Sequence, residues 1–157
     1  MPLFYQHYIN ENAKLAVWHI KEAEEFFLEK VHLIKEIHHP HKRLQHLAGR
    51  YLLQILQPGF PLHLIEIDEF NKPLLSNGEL HFSISHCGDF AAAIVSNSIS
   101  VGIDVELIKP KIEVIKNKFL SNAELLLLPE PTLTYITLFW SVKEAVFKWY
   151  GNRSVDF

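Results

Sequence analysis

Between Leu80 and Leu107 the chain alternates apolar and polar residues with the period of a β-strand, and short turn signals break the run twice. Leu80, Phe82 and Ile84 alternate with His81, Ser83 and Ser85, and Gly88-Asp89 turns the chain. Phe90 to Ser96 reads as a buried strand, Asn97-Ser98 turns the chain again, and Ile99 to Leu107 reads as a further strand. The run therefore predicts an antiparallel meander over residues 80–107. A sheet of this kind must bury its apolar face against another layer, and segments of helical period on either side supply one. His41 to Gln57 places Leu44, Leu47, Ala48, Tyr51, Leu52 and Ile55 at three-and-four spacing, with Pro40 to open the helix and Pro58-Gly59 to stop it. Ile112 to Phe119 predicts a short helix, and Ser121 with Glu124 has capping-box spacing for a second. Thr132 caps a longer helix running to about Trp149, ended by Gly151. Upstream, Leu15 to Ile20 predicts a short strand and Glu22 to Lys30 a helix with acids in its first turn. The period changes again around Leu62, Leu64 and Ile67, and Asn71-Lys72-Pro73 and Asn77-Gly78 punctuate the chain before the meander. The fold class expected is α+β, with helices flanking a mostly antiparallel sheet.

Composition narrows the function classes. With 48% hydrophobic and 21% charged residues, the chain is too apolar and too weakly charged for intrinsic disorder. A net charge of −3 argues against non-specific nucleic-acid binding. No run of 18 apolar residues exists, so no transmembrane helix is expected. The N-terminal MPLFYQHYINENAK lacks a basic start followed by an apolar run, so a cytoplasmic location is expected. Cys87 is the single cysteine, which rules out an internal disulfide and predicts a small buried side chain.

Four constellations can carry chemistry. In Val101-Gly102-Ile103-Asp104-Val105-Glu106, strand alternation puts Asp104 and Glu106 on one face, roughly 6–7 Å apart. Their repulsion would be relieved by a divalent cation, and hard oxygen ligands suit Mg²⁺. Trp140, Glu144 and Lys148 are four apart and share a helical face, which offers a third carboxylate and a cation for a phosphate. Ser85-His86 ends a strand and could donate to a phosphate oxygen. The two are not a nucleophile–base pair, because adjacent strand residues point to opposite faces. Finally, residues 30–50 hold Lys30, Lys35, Lys42, Arg43 and Arg50 against the single acid Glu36, with five histidines. Arg43 and Arg50, seven apart, lie on one helical face and suit an anion, as does Lys72 in its turn. His38, His39 and His41 lack partners at zinc-like spacing. Three carboxylates and several cations indicate phosphoryl-type chemistry, without GxxxxGK[ST] or GxGxxG.

The order FSISH, VGIDVE, FLSNAE and FWSVKEAVFK resembles the 4′-phosphopantetheinyl transferase superfamily, and its surfactin-synthetase-type (Sfp-like) branch most closely. RLQHLAGRYLL resembles that family's first-half helix and FNKPLL its lysine-bearing turn, so the resemblance runs from about Trp18 to Gly151. It implies transfer of the 4′-phosphopantetheine arm of coenzyme A to a serine of an acyl or peptidyl carrier protein, leaving 3′,5′-ADP. On it, Asp104, Glu106 and Glu144 match Mg²⁺ ligands, and Glu144 also matches the group that deprotonates the carrier serine. Lys148, Lys72, Ser85 and His86 match contacts to the coenzyme A phosphates, with Arg43 and Arg50 carried over beside them. Asp104, Glu144 and Lys148 would form the catalytic set. Phe119 and Leu120 are candidates for docking the carrier, with plain core packing the equal alternative.

The resemblance also implies a pseudodimer of two similar α/β halves, with residues 1–96 holding most phosphate-binding cations and 97–157 the acids. In the family, strands follow the W-S-x-K-E-A helix, whereas here seven residues follow Tyr150. The second half is thus expected to be incomplete, and a second protomer could cover its edge. The competing expectations are a truncated, weak or inactive homologue that binds coenzyme A or a carrier protein, a non-enzymatic carrier-binding module, and a Mg²⁺-dependent phosphohydrolase.

Overall fold

The computed structural model describes residues 3–33, 36–69 and 71–151; Lys35 and Phe70 lie outside them. The chain is α+β. Among the described residues the strands are β1 (Leu3–Tyr8), β2 (Ala13–His19), β3 (Ile65–Ile67), β4 (Pro73–Leu75), β5 (His81–Cys87) and β6 (Phe90–Ser96). Five α-helices are α1 (Glu24–Leu28), α2 (Pro40–Leu56), α3 (Lys111–Ile115), α4 (Asn122–Leu127) and α5 (Leu133–Tyr150), with 3₁₀ turns at Leu62–Leu64 and Lys116–Lys118.

Four strands form one antiparallel sheet in the order β1-β2-β6-β5, and β3 pairs with β4 in a separate ribbon. The register sets Ala16 opposite Ala93, Trp18 opposite Ala91 and Ile84 opposite Ala93. The small residues Ala91 and Ala93 are wholly buried and let α2 lie close against the sheet. At Gly49 the approach is tightest: an added Cβ would sit 2.6 Å from Cγ2 of Ile84. Leu47, Leu52, Leu53 and Leu56 of α2, Phe27 of α1, and Trp18, Phe82 and Val95 of the sheet complete this core.

A second, smaller core joins Phe119, Leu120, Leu128 and Ile136 under Trp140 and Phe139. Phe119 and Leu120, for which docking and core packing were both open, are 3% and 4% exposed and belong to this core. The capping box is present, with Ser121 accepting from the Glu124 amide and Glu124 accepting from the Ser121 amide. Thr132 caps α5, and Gly151 closes it at φ 73°, a left-handed conformation that glycine adopts without a Cβ penalty.

Two elements depart from the sequence reading. β1 occupies a stretch where no strand was expected, pairing Gln6 with Ala16 and His7 with Leu15. Residues 101–107 belong to no ladder, so the meander stops after β6. The cause lies in side-chain bonding. Ser96 Oγ, fully buried, accepts from the amides of Ser98 and Ile99 and turns the chain out of a tight hairpin. The Ile103 amide then donates to Ser83 Oγ rather than to a β5 carbonyl. Among the described residues, the chain after the 101–107 segment is helical and holds no strand. No described helix is long and apolar enough to cross a membrane.

Candidate active site

The extended 101–107 segment runs between edge strand β5 and helix α5, laced to both by side chains. Asp104, 5% exposed in its side chain, is held from both sides. From β5, Ser85 Oγ donates to Oδ1 at 2.8 Å, and from α5, Ser141 Oγ donates to Oδ2 at 2.8 Å. Lys148 Nζ donates to the same Oδ1 at 2.6 Å and to Ser85 Oγ at 2.9 Å. Glu106 is held in the same manner two residues on, by Cys87 Sγ of β5 at 3.2 Å and Trp140 Nε1 of α5 at 3.3 Å. The alternation expected of Asp104 and Glu106 therefore survives although the strand does not: both acids meet the same two elements.

Glu144 stands on the α5 face between Ser141 and Lys148. Burial pushes its carboxyl above the usual range, Asp104 and Glu106 push it further, and Lys148 opposes them. Three carboxylates thus share one field. Among the described residues no three His, Cys, Asp or Glu side chains are gathered tightly enough to hold a metal ion, and this includes the histidines of residues 36–41. The donor types are nonetheless those a hard divalent cation takes: three carboxylates, of which Asp104 and Glu106 raise the cost of charging Glu144.

Two clefts adjoin the acids. One, of about 270 Å³, lies between the Asn71–Pro73 turn, β5 and the end of α5, and is lined by Lys72, Lys148, Phe82, Ile84 and Phe147. The other, of about 430 Å³, shares Asn71, Pro73 and Ile84 with it and adds Arg50, His46 and His86. Burial pushes the Arg50 guanidinium down to about 10. Arg50 Nη1 meets His46 Nδ1 at 3.1 Å, and Arg50 forms no ion pair among the described residues. His86 is also pushed down, by burial first and then by its neighbours Lys148, His41 and Lys42.

The structure separates some residues that the sequence grouped. Ser85 faces Asp104, whereas His86 lines the Arg50 cleft, as alternation requires. Arg43 is spent elsewhere: its Nε lies 2.7 Å from Glu24 Oε1 and its Nη1 donates to the Ile37 carbonyl. Cys87, expected to be a buried filler, is half-buried and bonds Glu106. Sequence reasoning missed Ser141 and the indole of Trp140 as partners of the acids. The available signal was spacing, since Ser141 lies two helical turns before Lys148 and must share its face.

Fold and site define an α+β protein with a cation-lined cleft beside a clamped pair of acids. Residues 100–157, which carry both acids and all of α5, match the 4′-phosphopantetheinyl transferase superfamily. Over that segment the chain is similar to the superfamily, and the relatives it matches beyond it carry the same name. It is 33% identical over 123 residues to the 4′-phosphopantetheinyl transferase AcpT of Salmonella typhimurium, covering 72% of this chain and 62% of that protein. It is 33% identical over 91 residues to a 4′-phosphopantetheinyl transferase of Bacillus subtilis, covering 55% of this chain and 40% of that protein. It is 36% identical over 94 residues to the 4′-phosphopantetheinyl transferase psf-1 of Bacillus pumilus, covering 57% and 40%. The chain thus spans about three fifths of the length of the Salmonella relative and two fifths of the Bacillus ones.

Proposed function

We propose that this chain moves the 4′-phosphopantetheine arm of coenzyme A onto a serine of an acyl or peptidyl carrier protein, with Mg²⁺ held by Asp104, Glu106 and Glu144. The observation that carries the reading is Lys148, which lines the cleft while bonding Asp104 and Ser85. A cation at that junction can hold a phosphate and meet the metal-ligand set at once. Lys72 faces it across the same cleft, and Arg50 and His86 extend the positive lining into the adjoining one. Such a lining suits a ligand with several phosphates.

In the proposed reaction the carrier serine oxygen attacks the phosphorus bearing pantetheine. The phosphoanhydride bond breaks, 3′,5′-ADP leaves, and the serine proton passes to a carboxylate. Glu144 is the group for that proton, because burial and its neighbours raise its basicity. Lys148 and Lys72 offset the charge that builds on the leaving phosphate. Bound Mg²⁺ would supply further neutralisation of the phosphate oxygens. Most of the work left to the protein is positioning. A single free cysteine is in keeping with a reducing compartment such as the cytoplasm.

The test is to incubate the protein with coenzyme A, Mg²⁺ and an apo carrier protein and to weigh the carrier. A gain equal to the phosphopantetheine arm is expected, and Asp104→Ala should abolish it. No gain with coenzyme A intact favours a binding module, and cleavage without a carrier favours a hydrolase.

A further inference from the structure

Asp104 receives three hydrogen bonds, and two of the donors have other duties. Lys148 lines the cleft, so an anion there draws its ammonium away from Oδ1. Ser85 Oγ is itself the acceptor of Lys148, so its geometry changes when Lys148 moves. Ser141 has no such tie: among the described residues its hydroxyl bonds Asp104 Oδ2 alone, and it lines neither cleft. A serine or threonine inside a helix usually returns its hydroxyl to the carbonyl one turn back. Thr137, one turn earlier in α5, does so, donating to the Leu133 carbonyl at 2.7 Å. Ser141 instead spends its hydroxyl across the gap on the acid.

We infer that Ser141 is a positioning residue that fixes the Asp104 carboxylate for metal binding while Lys148 is free to follow the substrate phosphate. The inference rests on the metal-dependent reading above. Ser141 holds Oδ2 independently of Oδ1, which Lys148 and Ser85 share. Groups that orient a metal ligand typically alter metal affinity by about 10–100-fold when removed.

The experiment measures Mn²⁺ affinity by electron paramagnetic resonance for wild type, Ser141→Ala and Ser141→Thr, with melting curves to show that each is folded. Ser141→Ala is expected to bind Mn²⁺ about tenfold more weakly, and Ser141→Thr, which keeps the hydroxyl, to recover to within about threefold. In the transfer assay the Ser141→Ala protein should need more Mg²⁺ at an unchanged KM for coenzyme A. Equal Mn²⁺ affinity in wild type and Ser141→Ala overturns the inference, as does equal weakening in the alanine and threonine variants. Should the alanine variant fail to fold, the threonine variant decides: native affinity supports the role and a tenfold loss overturns it. A wild-type protein that binds no Mn²⁺ overturns the metal reading and this inference with it, whereas wild-type binding with an indifferent Ser141 overturns this inference alone.

Discussion

At Gly102 the extended segment passes so close to α5 that a side chain has no room. An added Cβ would collide with the Ala145 carbonyl oxygen and lie 2.7 Å from the Trp149 nitrogen, both backbone atoms that cannot rotate away. Gly102→Ala should therefore cost about 1–3 kcal/mol of stability by overpacking, read from urea denaturation. Because Asp104 and Glu106 follow within four residues, the same change should also lower transfer activity by shifting both acids from their partners on α5. A variant of wild-type stability would show that the segment can move. The two arginines of α2 make a second contrast at this scale. Arg50→Met should weaken coenzyme A binding by about tenfold, which is about 1.4 kcal/mol, by isothermal titration. Arg43→Met should leave that affinity within about threefold, since Arg43 is bound to Glu24. Equal losses would mean that Arg43 reaches the ligand after all. Their seven-residue spacing was plain in the sequence, but which arginine had a carboxylate partner nineteen residues upstream was not.

Helix α4 is only six residues long, and its stability comes from its ends. Glu124 closes the capping box and meets Lys143 of α5 at 2.8 Å, tying α4 to α5. The Lys143 bond, then those from Ser121, lower the Glu124 carboxyl from 4.5 to about 2. A carboxyl lowered on folding contributes stability that is full above its unfolded pKa and is lost as pH falls through the folded value. The wild-type advantage over Glu124→Gln should thus be constant near neutrality and shrink between about pH 4.5 and 2, seen as converging melting temperatures. An advantage that persists at pH 2 would contradict this. Helix ends of this kind were legible because capping is local: Ser121 with Glu124, Thr132 and Gly151 act within a few residues. The 101–107 segment was only half legible. Its alternation fixed which acids share a side, but whether it joins a ladder depended on Ser83, Ser85 and Ser96 supplying side-chain bonds in place of backbone ones. Strand β1 escaped notice because an edge strand with exposed Phe4, Tyr5 and Tyr8 has no clean apolar alternation.

Across the whole molecule, burial is uneven. The α2–sheet core joins sixteen buried residues, whereas the core beneath α5 joins four, and Leu138, Val142, Val146 and Trp149 of α5 are about half exposed. Regions with few buried apolar contacts open at lower free energy than the core of a domain. Amides of α4 and the first turns of α5 should therefore exchange with deuterium well before those of β2 and β6. Coenzyme A, as proposed, would connect the two regions, since its cleft takes Lys72 and Ile84 from the first half and Phe147 and Lys148 from α5. A ligand that binds only the closed arrangement stabilises it by an amount that grows with the logarithm of its concentration over Kd, about 2.7 kcal/mol at a hundredfold excess. Saturating coenzyme A with Mg²⁺ should slow exchange in α5 by up to about a hundredfold while β2 and β6, already limited by global unfolding, gain at most the same increment. Slowing confined to α2 and the β3–β4 ribbon would place the ligand in the Arg50 cleft alone and leave Lys148 without a phosphate.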